Sequence, residues 1–84
     1  MYEVRFARSA EKEFRKLPRD IQVRLAKRIN QLPQNPRTNA EKLKGVDAWR
    51  IRVGDYRVVY QIQDDKLIIL VLKTQHRREV YRDI

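Results

Sequence analysis

The sequence predicts an α+β domain: an N-terminal strand, an α-helical hairpin and then an antiparallel sheet, with the helices packed on one sheet face. Three observations carry this. Apolar residues recur at helical spacing from Ala10 to Leu32, interrupted at Pro18. The stretch from Trp49 to Ile62 alternates apolar and polar residues about Gly54-Asp55. Leu67 to Leu72 is apolar without a break. Together they give the order β-α-α-β-β-β plus a short C-terminal element, in one domain over residues 1–84.

Each element has its own signature. Tyr2-Glu3-Val4-Arg5-Phe6 alternates apolar and charged side chains, the pattern of a strand with one buried face. Ser9 is the expected N-cap of a short helix whose stripe is Ala10, Phe14 and Leu17. Pro18 ends that helix and suits the first turn of a second one. Ile21, Leu25, Ile29 and Leu32 make the second stripe, and Pro33 and Pro36 stop it. So short a link forces the helices antiparallel. Residues 33–42, PQNPRTNAEK, read as a loop, and Asp64-Asp65-Lys66 as a turn. The all-apolar run Leu67–Leu72 predicts a central strand covered on both faces.

Composition narrows the partners. The 84 residues carry 20 Lys and Arg against 11 Asp and Glu, a formal charge of +9, with a pI near 10.4. Such an excess implies a polyanionic partner. Arginine outnumbers lysine 13 to 7, which leans toward planar, bidentate recognition of phosphate. With no cysteine there is neither a disulfide nor a thiolate metal site, and one histidine with scattered acids makes no ligand cluster. No metal or other cofactor is expected. The charged N-terminus is unlike a signal peptide, and no run approaches a membrane span, so a cytoplasmic protein with no membrane partner is expected.

The hairpin concentrates the chemistry. A two-residue II′ turn at Gly54-Asp55 would pair Val53 with Tyr56, Arg52 with Arg57 and Arg50 with Val59. Side chains alternate faces along a strand, so Arg50, Arg52, Arg57, Val59 and Gln61 share one face. Trp49, Ile51, Val53, Tyr56, Val58, Tyr60 and Ile62 share the other, which must meet the helices. Like charges directly opposite cost very roughly 0.2–1 kcal/mol. Two readings explain the cost: a solvated face whose arginines pair with Glu79 or Asp47, or a cationic surface awaiting a phosphate chain.

KLKG at 42–45, WRIRVGDYRVVYQI at 49–62, LIILVLK at 67–73 and HRREVY at 76–81 together resemble RelE-type toxins of the RelE/ParE toxin–antitoxin superfamily. The front half agrees, with its F-x-x-x-A-x-K-x-F-x-K-L-P rhythm, basic second helix and NPR at 35–37. The resemblance implies a ribosome-dependent, metal-independent endoribonuclease (an mRNA interferase) acting on messenger RNA in the A site. In that reaction the 2′-hydroxyl attacks the adjacent phosphate. It implies as partners a cognate acidic antitoxin, messenger RNA and the ribosomal RNA of the A site, with operator DNA met only through the antitoxin complex.

Carried across, Lys44 matches a basic position near the RNA backbone, and Arg50 and Arg52 match paired basic residues that are commonly lysines. Arg57 matches the arginine on the scissile phosphate. Arg77 falls nearest the arginine that protonates the leaving group, and Tyr81 matches a base-stacking tyrosine. Lys73 and Arg78 complete the basic set. Arginine cannot serve as a general base. His76 is the side chain whose ordinary pKa suits proton transfer near neutrality, with Lys44, Lys73 and Tyr81 as further candidates. Two other functions fit the same residues: a ParE-like toxin that binds DNA gyrase, and a catalytically inactive basic module that binds nucleic acid or antitoxin.

Overall fold

A computed structural model describes residues 2–76. The elements are β1 (Glu3–Phe6), α1 (Arg8–Arg15), α2 (Arg19–Ile29), β2 (Glu41–Lys42), β3 (Trp49–Val53), β4 (Tyr56–Gln63) and β5 (Ile68–His76). The strands form one sheet in the order β1-β5-β4-β3-β2. Two helices pack on one of its faces, as the sequence predicts. The core is Ala10, Leu25, Ile29 and Leu32 against Ile51, Val58, Tyr60, Ile69 and Val71. Trp49, Val53, Tyr56 and Ile62 pack on it from the same face.

The sheet is mostly antiparallel, but β1 pairs with β5 in parallel, Glu3 beside Ile68 through Phe6 beside Val71. The helical hairpin returns the chain to the end of the sheet from which β1 started, so the last strand runs alongside the first. β1 stops at Phe6, whereas β5 continues to His76. Beyond that point α1 takes over the exposed edge of β5. Glu13 accepts a hydrogen bond from the Thr74 backbone N–H at 3.2 Å and another from Gln75 Nε2 at 2.6 Å. The Thr74 hydroxyl donates to the Ala10 carbonyl at 3.1 Å.

Four local expectations change. The N-cap of α1 is Ala7, not Ser9, and no side chain caps it. Ser9 lies within the first turn because β1 runs straight into the helix, with Ala7 N–H bonded to the Val71 carbonyl. Residues 41 and 42 leave the predicted loop to form β2, held by pairing to β3 rather than by any hydrophobic pattern of their own. Leu67 is not in the strand. It sits in the turn with φ +53° and is 48% exposed. Finally, β5 is buried on one face only: Ile69, Val71 and Thr74 face the helices, while Leu70 and Leu72 are half-buried on the other side.

A β-bulge sets the phase of β5. Val59 pairs with Lys73 and Tyr60 with Val71, leaving Leu72 as the extra residue. Strict alternation from Ile69 and Val71 would turn Lys73 and Gln75 toward the helices. The inserted residue reverses the phase, as a one-residue slip must. Lys73 and Gln75 therefore join the face of Val59 and Arg57, and Thr74 joins the core.

Candidate nucleic-acid interface

The β3–β4 hairpin has the register its sequence predicts, including Arg52 opposite Arg57 and Arg50 opposite Val59. Gly54 takes φ +61° at the first central position, which a side chain would strain, and Asp55 does not share a positive φ. The bulge extends the arginine face into β5. One row across the sheet is Arg52–Arg57–Gln75, and the next is Glu41–Arg50–Val59–Lys73.

The three arginines are not equally displayed. Arg52 is exposed, the Arg50 side chain is 15% exposed and Arg57 is 2% exposed. Arg57 lies deepest, on a strand flanked by the full-length β3 and β5, whereas Arg50 has only the two-residue β2 on its outer side. The three arginines share the predicted face in a graded arrangement, with an open Arg52 beside a buried Arg57. Burial removes most of the conformational freedom of a guanidinium, which suits it to hold an anion in one geometry.

An acid beside these arginines is Glu41, which sequence reasoning left in a loop. It lies opposite Arg50 in β2 and accepts a hydrogen bond from Arg50 Nη2. That bond, then the charge of Arg50, and then the fields of Arg52 and Arg57 hold the Glu41 carboxyl below the usual carboxylate range. Of the two counter-ions the sequence offers, Asp47 pairs instead with Lys42 at 3.0 Å, and Glu79 lies outside the described residues. Arg50 Nε is buried without a hydrogen-bond partner, so Glu41 does not saturate the guanidinium. A groove of about 390 Å³ opens beside the pair, lined by Asn39, Ala40, Glu41, Arg50 and Arg52.

The remaining expected residues divide. Lys44 is exposed in the loop between β2 and β3, and it meets Lys73 at a second cavity of about 370 Å³. That cavity has an apolar floor of Leu43, Val46, Ala48, Val59 and Leu72. His76 is not with the arginines. It pairs with Tyr56 across β4–β5, on the parity that faces the helices, and the two rings meet edge-to-face at 5.3 Å. Arg77, Arg78 and Tyr81 lie outside the described residues. Among the described residues, no group of three or more His, Cys, Asp or Glu could hold a metal ion, and no helix is long and apolar enough to cross a membrane.

Arginines on rigid adjacent strands can neutralise a phosphate and the charge that develops on it during in-line attack. They cannot remove a proton. The face as it stands is therefore a cationic surface with the Glu41 carboxylate set beside its arginines.

A family model described as ParE toxin of type II toxin–antitoxin system, parDE, matches residues 4–81. A RelE-like toxin protein of Escherichia coli is 38% identical over 85 residues, covering 95% of this chain and 90% of that one. The mRNA interferase toxin RelE of Escherichia coli K12 is 34% identical over 87 residues, covering 98% and 92%. The fold is similar to the toxin of the intact Escherichia coli RelBE toxin–antitoxin complex, with a TM-score of 0.83 and 33% identity over 90% of this chain and 96% of that chain.

Proposed function

The chain belongs to the ParE toxin family of type II toxin–antitoxin systems, and from that premise we propose that it is a RelE-type mRNA interferase neutralised by a cognate antitoxin. The observation that carries the reading is the row Arg52–Arg57–Gln75 with Arg50 one row along, a cationic surface on rigid strands. Arg57 holds the scissile phosphate in a fixed position. Arg52, open to solvent, neutralises the oxygens that gain charge in the transition state. Arg50, Lys44 and Lys73 bind the RNA backbone on either side, and Arg77, Arg78 and Tyr81 complete the site as the resemblance implies. The message reaches this face in the ribosomal A site, which places the protein in the cytoplasm.

His76 is a poor choice for proton transfer in this arrangement, because it stands with Tyr56 on the opposite face. The acidic antitoxin is expected to meet the same face: a carboxylate-bearing segment relieves the repulsion between Arg52 and Arg57 as a phosphate does.

The test is to map 5′ ends on programmed ribosomes with and without the protein. Cuts confined to the A-site codon, leaving 5′-hydroxyl ends, are expected. Intact messages accompanied by cleaved gyrase–DNA complexes would overturn the reading in favour of gyrase binding. Salt-sensitive RNA binding without cleavage would leave a binding module.

A further inference from the structure

Resting on the endonuclease reading above, we propose that Arg24 is a further ligand for the RNA backbone, one that takes the message phosphate beyond that on Arg52, at the tip of the hairpin. The setting of its guanidinium leads there. Arg24 belongs to α2, yet it lies against Gly54 in the β3–β4 turn: Nη2, Nη1 and Cζ stand 3.3, 3.8 and 3.9 Å from the place a Gly54 Cβ would fill. Gly54 therefore serves twice, through its φ of +61° and through the space it leaves for a guanidinium. Arg24 is exposed, and among the described residues it forms no ion pair, although Asp20 stands one turn earlier in α2 and Asp55 follows Gly54. The next cation along that face of α2 is already engaged, since Arg28 Nη2 donates to the Thr38 carbonyl at 3.1 Å.

The position continues a line of charge. Arg50 and Arg52 stand two residues apart on one face of β3, about 6–7 Å along the strand. Gly54 is two residues further, where the chain turns, and Arg24 brings a positive charge to that point. An RNA strand that lays phosphates on Arg50 and Arg52 and runs on past the turn meets the Arg24 guanidinium. The planar fork of an arginine can grip two phosphate oxygens while resting on the backbone beneath it. Arg50 shares its guanidinium with Glu41, whereas Arg24 has no carboxylate to give up before it binds an anion. Arg24 holds the strand away from the reacting atoms, so it acts on binding and not on the chemical step.

The experiment measures binding and single-turnover cleavage on programmed ribosomes with the full-length wild type, Arg24→Gln and Arg24→Lys, at salt from about 50 to 200 mM and fixed magnesium. One phosphate contact on a single strand contributes about 0.7 to the slope of log affinity against log salt. Arg24→Gln should lose that amount, so the advantage of the wild type shrinks about 2.6-fold across this range. Arg24→Lys keeps the charge and should keep the slope. The loss in Arg24→Gln should show as a higher half-saturating concentration, with the rate at saturation much less affected. On ribosomes whose message ends in the P site, the wild type and Arg24→Gln should bind alike. A full salt slope in Arg24→Gln overturns the proposal. So does a lost slope that persists with no message in the A site, which makes ribosomal RNA the ligand. A lower Tm and a slower saturated rate with binding unchanged makes Arg24 a prop for the hairpin and overturns it too. A wild type that leaves messages intact is a different result, which overturns the endonuclease reading itself and this proposal with it.

Discussion

Arg52→Gln separates the two demands on the arginine face. Arg52 is exposed and directly opposite Arg57, so the substitution removes one of two like charges while keeping part of the aliphatic stem. Relief of a like-charged cross-strand pair is worth about 0.2–1 kcal/mol. The nearby Glu41 carboxylate interacts favourably with Arg52 and offsets part of the gain, which leaves the lower half of that range, about 0.2–0.5 kcal/mol. For a domain of this size each kcal/mol moves Tm by about 4–8 °C. The variant should therefore melt about 1–4 °C higher in 10 mM salt. In 1 M salt the Debye length falls to about 3 Å and the difference should disappear. Cleavage on the ribosome should meanwhile fall by about 10²–10³-fold, the usual cost of removing one donor from a developing oxyanion. The assays are calorimetric melts at the two salt concentrations and single-turnover cleavage. Near wild-type cleavage, a lower Tm in low salt, or a Tm gain that survives 1 M salt would each refute the assignment of Arg52 as a self-repelling phosphate ligand.

Other outcomes follow from the same geometry. Gly54→Ala puts a Cβ on a residue at φ +61° and within 3.3 Å of Arg24 Nη2, and should cost about 1–2 kcal/mol, read as a lower Tm with the cleavage site unchanged. Tyr60 is fully buried, and its hydroxyl donates to the Pro36 carbonyl at 2.5 Å. Tyr60→Phe should cost about 1–2 kcal/mol by orphaning that carbonyl. Burial pushes the Tyr60 phenol up to about 12. Because the folded value lies above the unfolded one, its contribution is complete below pH 10 and is lost as pH rises through 12. Denaturation followed across that window should be steep in wild type and flatter in Tyr60→Phe. Asp64 accepts hydrogen bonds from Tyr2 and Arg37, in that order of effect, which hold its carboxyl below the usual range. Its contribution is present at neutral pH and is lost as pH falls below the normal carboxylate pKa, so Asp64→Asn should reduce acid sensitivity in urea melts between pH 2 and 5.

The hairpin register was legible because three local rules agree there: strict alternation, a glycine where φ must be positive, and strands long enough to show parity. The helical stripes were legible for the same reason, since Leu25, Ile29 and Leu32 recur with the period of the backbone that buries them. The features that escaped have no local cause. β2 exists because β3 offers an edge to Glu41 and Lys42, not because two charged residues favour a strand. Glu41 was hidden with it, since a residue assigned to a loop has no face. The parallel pairing of β1 depends on how the helical hairpin returns the chain. The bulge at Leu72 is invisible in an unbroken apolar run, where no polar residue marks the phase. Only the switch from Val71 to Thr74 as inward residues reports it, and that needs the partner strand to be known.

The bulge and the end of β1 together explain how the helices and the arginine face are joined. β5 outruns β1, and its unpaired edge falls where Gln75 completes the row with Arg57 and Arg52. An open edge at that position would fray, and the row would lose one side. Glu13 closes it from α1 by accepting from both the Thr74 backbone and the Gln75 amide, while the Thr74 hydroxyl ties to Ala10 one turn earlier. That use of Thr74 requires the phase change, because without the bulge Lys73 rather than Thr74 would point at α1. One inserted residue thus does two things at once. It delivers Lys73 and Gln75 to the basic face, and it delivers a threonine to the helix that holds that face in place. The sheet that carries Arg57 is therefore held by α1 across its edge as much as by the hairpin that carries the arginines.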